Sequence, residues 1–239
     1  MTKLEKIGLS AFALKLIMVV LMLGDHLAAF LPTYFPFELR YAGRLVLPTF
    51  TYLMTVSLCH TRDRRRFFLR LAIAGLIMLT GNNLLIWSLG GWPPITNNIF
   101  LSLAVSAGLI IAIERIIDGE GSAVLNAVAA ALLIYAGTFV EGGLLTPVMA
   151  LVFYFLRGHR LAMCIVYIAV GWAFLHLSDF PLTPVLHYQY YQVLAVIPVL
   201  FFSGRKGGSG GAFDKWFFYI FYPLHIWLLY FIRHVMFFS

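Results

Sequence analysis

Apolar residues run along this chain in long blocks, separated by short polar or Gly/Pro breaks. Blocks long enough, or nearly so, to cross about 30 Å of hydrocarbon fall at residues 10–31, 41–60, 67–87, 98–117, 122–140, 143–157, 161–177, 188–203 and 216–235. The pattern predicts nine membrane-spanning helices. The sixth and eighth blocks are short, and the breaks at Gly142-Gly143 and Ser178 to His187 are set by glycine, proline and polar residues. The period-two alternation of a membrane β-barrel never appears. The expected fold is all-α, a polytopic transmembrane helix bundle that forms one integral-membrane domain over residues 1–239.

Composition agrees. Only 11% of the 239 residues carry charge while 62% are hydrophobic, and the mean hydropathy is +0.90. An ordinary soluble domain is roughly 25% charged, so soluble globular, disordered and fibrous classes are excluded. The net charge of +7 does not point to nucleic acid, because the basic residues cap the ends of apolar blocks. With the N-terminus in the cytoplasm, the interior loops collect Lys3, Lys6, Arg62, Arg64, Arg65, Arg66, Arg70, Arg115, Arg157, Arg160, Arg205, Lys206 and Lys215, against Arg40 and Arg233 outside. That asymmetry supports an odd number of spans. The first block is too long, and too interrupted by Lys15, Asp25 and His26, to be a cleaved signal. Cys59 and Cys164 lie in apolar blocks and form no disulfide or metal spacing. Gly204 to Gly211 (GRKGGSGG) reads as a flexible, basic, cytoplasmic linker.

Once the loop charges are set aside, Lys15, Asp25, His26, Arg44, Asn82, Asn83, Asn97, Asn98, Glu141, His176, Asp179, His187 and His225 need another explanation. Most fall toward the outer half of their spans, which suggests a polar chamber open to the outside. Interfacial contact with water and headgroups is the simpler account for Asp179, His187 and His234. An adjacent acid and imidazole inside a span are costly unless they face a cavity or a partner. Asp25-His26 is therefore the leading candidate for proton transfer. Lys15 lies eleven residues before His26, on the same face and about 16 Å away along the axis; it either snorkels to the interface or holds the anionic end of a long ligand. Arg40 and Arg44 share a face at i, i+4 and can pair with Asp25 or Glu141, or bind an anionic substrate group. Arg62, Arg64, Arg65, Arg66 and Arg70 anchor topology and also make a polyphosphate patch. The asparagine pairs read first as ties between helices. Pro223 should kink the last span next to His225.

The succession of Lys15 to His26 (KLIMVVLMLGDH), Leu39 to Phe50 (LRYAGRLVLPTF), His60 to Arg70 (HTRDRRRFFLR), Asn98 to Leu103 (NIFLSL), Gly204 to Gly208 (GRKGG) and Phe217 to His225 (FFYIFYPLH) resembles the TraX family of bacterial inner-membrane proteins, in order over nearly the whole chain. TraX-type proteins are known as pilin N-acetyltransferases. The resemblance implies acetyl transfer from acetyl-CoA to an amine and marks Asp25, His26, Arg40, Arg44 and His225 as motif residues. More distantly, Lys15-x10-His26 looks like the Arg-x10-His pattern of the acyltransferase-three superfamily, with lysine in place of arginine, and Glu141 looks like an acid that follows the fifth span in relatives.

The expectation is an inner-membrane acetyltransferase. His26 is its base, oriented by Asp25, with Arg44 or an asparagine at the thioester oxyanion. Lys15 and the arginines Arg62, Arg64, Arg65, Arg66 and Arg70 hold the phosphates of acetyl-CoA. Arg40, Asn82, Asn83, Glu141, His176 and His225 line the acceptor side. The acceptor is a pilin amine or, alternatively, an envelope glycan or lipid hydroxyl. Membrane lipid is the other partner, and no metal is expected. A proton-coupled transporter can use the same Asp/His/Glu set, although the missing internal repeat speaks against it. A silent scaffold for envelope assembly is the third class.

Overall fold

A computed structural model of the chain describes residues 8–90, 94–177 and 187–237. Among them there is no strand beyond a single bridge between Leu9 and Phe202. Lys3, Lys6 and Asp179 lie outside the described residues.

The helices, in chain order, are α1 (Ala11–Phe30), α2 (Leu39–Gly43), α3 (Val46–Cys59), α4 (Arg64–Ser88), α5 (Ile99–Ile117), α6 (Ala123–Gly137), α7 (Leu145–Phe155) and α8 (Arg160–Leu177). A 3-10 segment, Tyr188–Ala195, then leads into α9 (Val196–Phe201), and α10 (Ala212–Phe237) is last. Among the described residues six segments are long and apolar enough to cross a membrane: α1, α2 with α3, α4, α5, α8 and α10. Those at 123–137, 145–155 and 188–201 are shorter apolar helices. The sequence blocks thus reappear as helices, six of them of spanning length and three shorter. Large apolar side chains face outward, Trp87 at 84% and Leu177 at 81% exposure, as lipid-facing helices require.

The described chain divides into two compact units. One comprises residues 1–49, 81–95 and 175–239, and the other comprises 50–80 and 96–174. In the first, α1 begins where the Ser10 hydroxyl accepts the Ala13 amide hydrogen at 3.2 Å. It ends before Pro32, which has no N–H to continue the ladder and drives Leu31 out of helical conformation. α1 pairs with α10 through contacts that climb both helices together: Phe12 on Phe218, Lys15 over Phe218, His26 on His225, Phe30 on Tyr230. The two helices therefore run parallel.

Gly204 to Gly211, expected to be a flexible linker, is bound to the start of α1. The Arg205 and Lys206 carbonyls accept from the Ala11 and Phe12 amides at 2.8 and 3.0 Å, and the Arg205 guanidinium donates to Gly8 O at 2.9 Å. Gly207 and Gly208 both have positive φ, and a Cβ at either would collide with Ser10 or Asp214. The glycines are there to let the backbone approach α1, where composition alone suggested slack.

In the second unit α5 is the most buried of the long apolar helices, with Ser102, Ser106 and Ala107 at 0% exposure. Asn98 caps it. Its Oδ1 accepts from the Leu101 amide at 3.2 Å and its Nδ2 donates to Gly75 O at 2.9 Å. A Cβ at Gly75 would sit 2.9 Å from the Leu101 backbone nitrogen, so the small residue sets how closely α4 and α5 approach.

Candidate active site

Within the first unit the structure assembles Asp25, His26, Arg40, Arg44 and His225, which the chain scatters over three helices. Asp25 and His26 are buried in the last two turns of α1. Pro36 and the bend Leu31–Glu38 return the chain so that α2 lies against that end. Arg40 Nε donates to Asp25 Oδ1 at 3.2 Å and Arg44 Nη2 to Oδ2 at 2.5 Å, so of the two partners open to Arg44 the structure selects Asp25. Arg44 Nε also donates to the Arg40 carbonyl at 3.3 Å, which locks the two arginines to each other.

Gly43 explains the spacing of these arginines. A Cβ there would overlap Asp25 Cβ and Cγ, so only glycine lets the carboxylate lie between the guanidiniums. Gly43→Ala should force Asp25 aside and destabilise the protein by about 1–3 kcal/mol, as overpacking does. A thermal melt in detergent checks this; an unchanged midpoint would mean that Asp25 has room to move.

His26 has a different partner from the one the sequence suggested. Its Nδ1 lies 2.8 Å from His225 Nε2, and the rings stack with centroids 5.0 Å apart. His225 Nδ1 lies 2.8 Å from the Phe221 carbonyl oxygen. A carbonyl can only accept, so His225 Nδ1 carries the hydrogen and, in the neutral ring, Nε2 is the acceptor. His26 Nδ1 then donates, and the basic lone pair of His26 belongs to Nε2. The ring that His26 meets is thus that of His225, which in turn is held by the backbone of α10. Phe217, Phe221 and His225 stack in succession up that helix.

Two residues of this site were missed in the sequence. Tyr188 lies under both guanidiniums, 5.1 Å from each guanidinium carbon, and Gln189 Oε1 accepts from Arg44 Nη1 at 3.5 Å. Both come from the 3-10 segment, whose opening YQYY interrupts an apolar block with polar aromatics; that interruption was the available signal.

The remaining predicted residues are distributed as follows. Lys15 sits half-buried with its ammonium 5.2 Å from the Phe218 ring. Asn82 Oδ1 accepts from Trp227 Nε1 at 2.9 Å, and Gly81 leaves room for that indole; this pair ties helices together. Asn83, one residue on, is exposed, as is His176 in the last turn of α8. Glu141 belongs to the second unit, where its carboxylate accepts from the Asn98 amide at 2.8 Å and its carbonyl from Ser102 Oγ at 2.8 Å. It anchors the start of α5. The arginine cluster also belongs to the second unit. Arg64 pairs with Glu114, which the Tyr154 hydroxyl also reaches, and Arg66 pairs with Asp63 at 2.9 Å. Arg62, Arg65 and Arg70 are exposed.

Comparison with known proteins gives two matches. The family model described as TraX protein matches residues 10–233. The chain is 29% identical over 242 residues to a protein of Dichelobacter nodosus named "Probable fimbrial assembly protein FimC, serogroup H1", covering 94% of this chain and 96% of that one. No solved structure matches.

Proposed function

The chain belongs to the TraX family, and on that premise we propose that it is a membrane acetyltransferase that moves an acetyl group from acetyl-CoA to an amine in pilus assembly. The name of its Dichelobacter relative supports the link to fimbriae. The observation that carries the chemical reading is the chain from the Phe221 carbonyl through His225 to His26, which leaves the basic nitrogen of His26 fixed at Nε2. A histidine held in one tautomer by a second group is the arrangement a general base needs.

In the proposed reaction His26 Nε2 takes a proton from the attacking amine as its nitrogen bonds to the acetyl carbonyl carbon. The carbon–sulfur bond of the thioester then breaks, and the CoA sulfur leaves with the proton that His26 took up. Arg44, which donates to the Asp25 carboxylate next to His26 in the chain, supplies positive charge for the developing oxyanion. Lys15 lies about 16 Å along α1 from His26, and Lys206 is within electrostatic range of it. These two cations suit the phosphates of a long donor. The arginine cluster lies in the other unit, where Arg64 and Arg66 have carboxylate partners. The charge asymmetry of the loops supports an N-terminus, and hence a donor site, on the cytoplasmic side.

The test is purified protein in detergent with labelled acetyl-CoA and a peptide bearing a free N-terminal amine. Label should appear on the peptide. If none is transferred and none is hydrolysed, the chain is not an acetyltransferase.

A further inference from the structure

We infer that Arg40, which shares Asp25 with Arg44, forms a specificity site for a carboxylate on the acceptor, so that the preferred acceptor is a peptide with an acidic side chain within a few residues of its reacting amine. The amine comes from the reading above; the carboxylate comes from the geometry of the site alone.

Each guanidinium has five N–H donors. Arg40 spends only Nε on Asp25, and its two terminal nitrogens donate to no protein acceptor among the described residues. That is a complete fork, and the side chain is 26% exposed. Arg44 is more fully used, by Asp25, by the Arg40 carbonyl and, at 3.5 Å, by Gln189. Aromatic rings fix the plane of the fork, since the Arg40 guanidinium carbon lies 5.1 Å from Tyr188 and 6.0 Å from Phe37.

Charge points the same way. Two guanidiniums share one carboxylate, which leaves a net positive charge at the end of an apolar helix, where unpaired charge is costly. One further carboxylate brings the cluster to neutrality. A phosphate monoester, at about −1.5 to −2, would overshoot. Asp25 is the immediate neighbour of His26, so an anion held on Arg40 lies beside the base and a short stretch of peptide can span the two.

The experiment uses the full chain in nanodiscs of neutral lipid and two fluorescent decapeptides, identical except for Glu or Gln at the third position. Binding is read by fluorescence anisotropy without acetyl-CoA. The Glu peptide should bind about tenfold or more tightly, the equivalent of about 1.4 kcal/mol. Arg40→Gln should bring it to the level of the Gln peptide, and Arg40→Lys should restore part of the difference. Equal binding of the two peptides to the wild-type protein overturns the inference, whatever the variants do. So does a preference that vanishes in nanodiscs of phosphatidylglycerol, because a lipid headgroup would then be the resident anion. Transfer without acid preference refutes this site and leaves the acetyltransferase reading intact, while acid preference without transfer does the reverse.

Discussion

Replacing His26 with alanine is expected to lower acetyl transfer by about 10²–10⁴-fold, the range a positioned general base supplies, while the protein still folds and extracts as the wild type does. The second histidine makes the result diagnostic. His225 touches His26, so His225→Ala should also lower kcat, because the His26 ring loses the acceptor that fixes its tautomer. Acetyl-CoA KM should move little. The pH profile adds a sign. A base works only unprotonated, so kcat should rise with pH through the titration of the histidine pair and then level off. If His26→Ala keeps near wild-type transfer, the base lies elsewhere. If His225→Ala changes stability and leaves both kcat and the profile alone, its role is packing.

Asp25→Ala is expected to destabilise the protein by about 3 kcal/mol, the lower end of the cost of breaking a buried ion pair. The lower end applies because Arg40 and Arg44 keep 26% and 19% of their side-chain surface exposed while Asp25 keeps 8%. The damage comes from two guanidiniums facing each other without the anion between them. Removing Arg40 together with Asp25 should therefore recover part of the loss, and the coupling between the two changes, read from melting midpoints, measures the pair. A single variant that melts like the wild type would show that the ion pairs contribute nothing.

Much of this was legible in the chain, for a physical reason. Lipid imposes a length and a polarity on every segment that crosses it, so the apolar blocks map onto helices almost one for one. The same scarcity of polar residues made Asp25, His26, Arg40, Arg44 and His225 stand out. Their pairing was hidden. Adjacent residues on a helix diverge by about 100°, so Asp25 and His26, neighbours in sequence, serve different partners. That His225 and not Asp25 meets the His26 ring depends on α10 returning alongside α1 after nearly two hundred residues, and no local pattern encodes it. Gly43 was invisible because a missing side chain leaves no signal until the carboxylate that fills its place is seen. The partner of Glu141 was hidden too: a carboxylate in an apolar chain draws attention as chemistry, and here it accepts from the amide of Asn98, the residue that caps a buried helix.

The parallel course of α1 and α10 fixes a parity. Two helices that cross in the same direction are separated by an odd number of intervening crossings, so a path that starts with one and ends with the other traverses the bilayer an odd number of times. The six long helices alone make an even number. If both helices cross the bilayer, one or all three of the shorter apolar helices among the described residues complete the path, and the start of α1 and the end of α10 then open into different compartments.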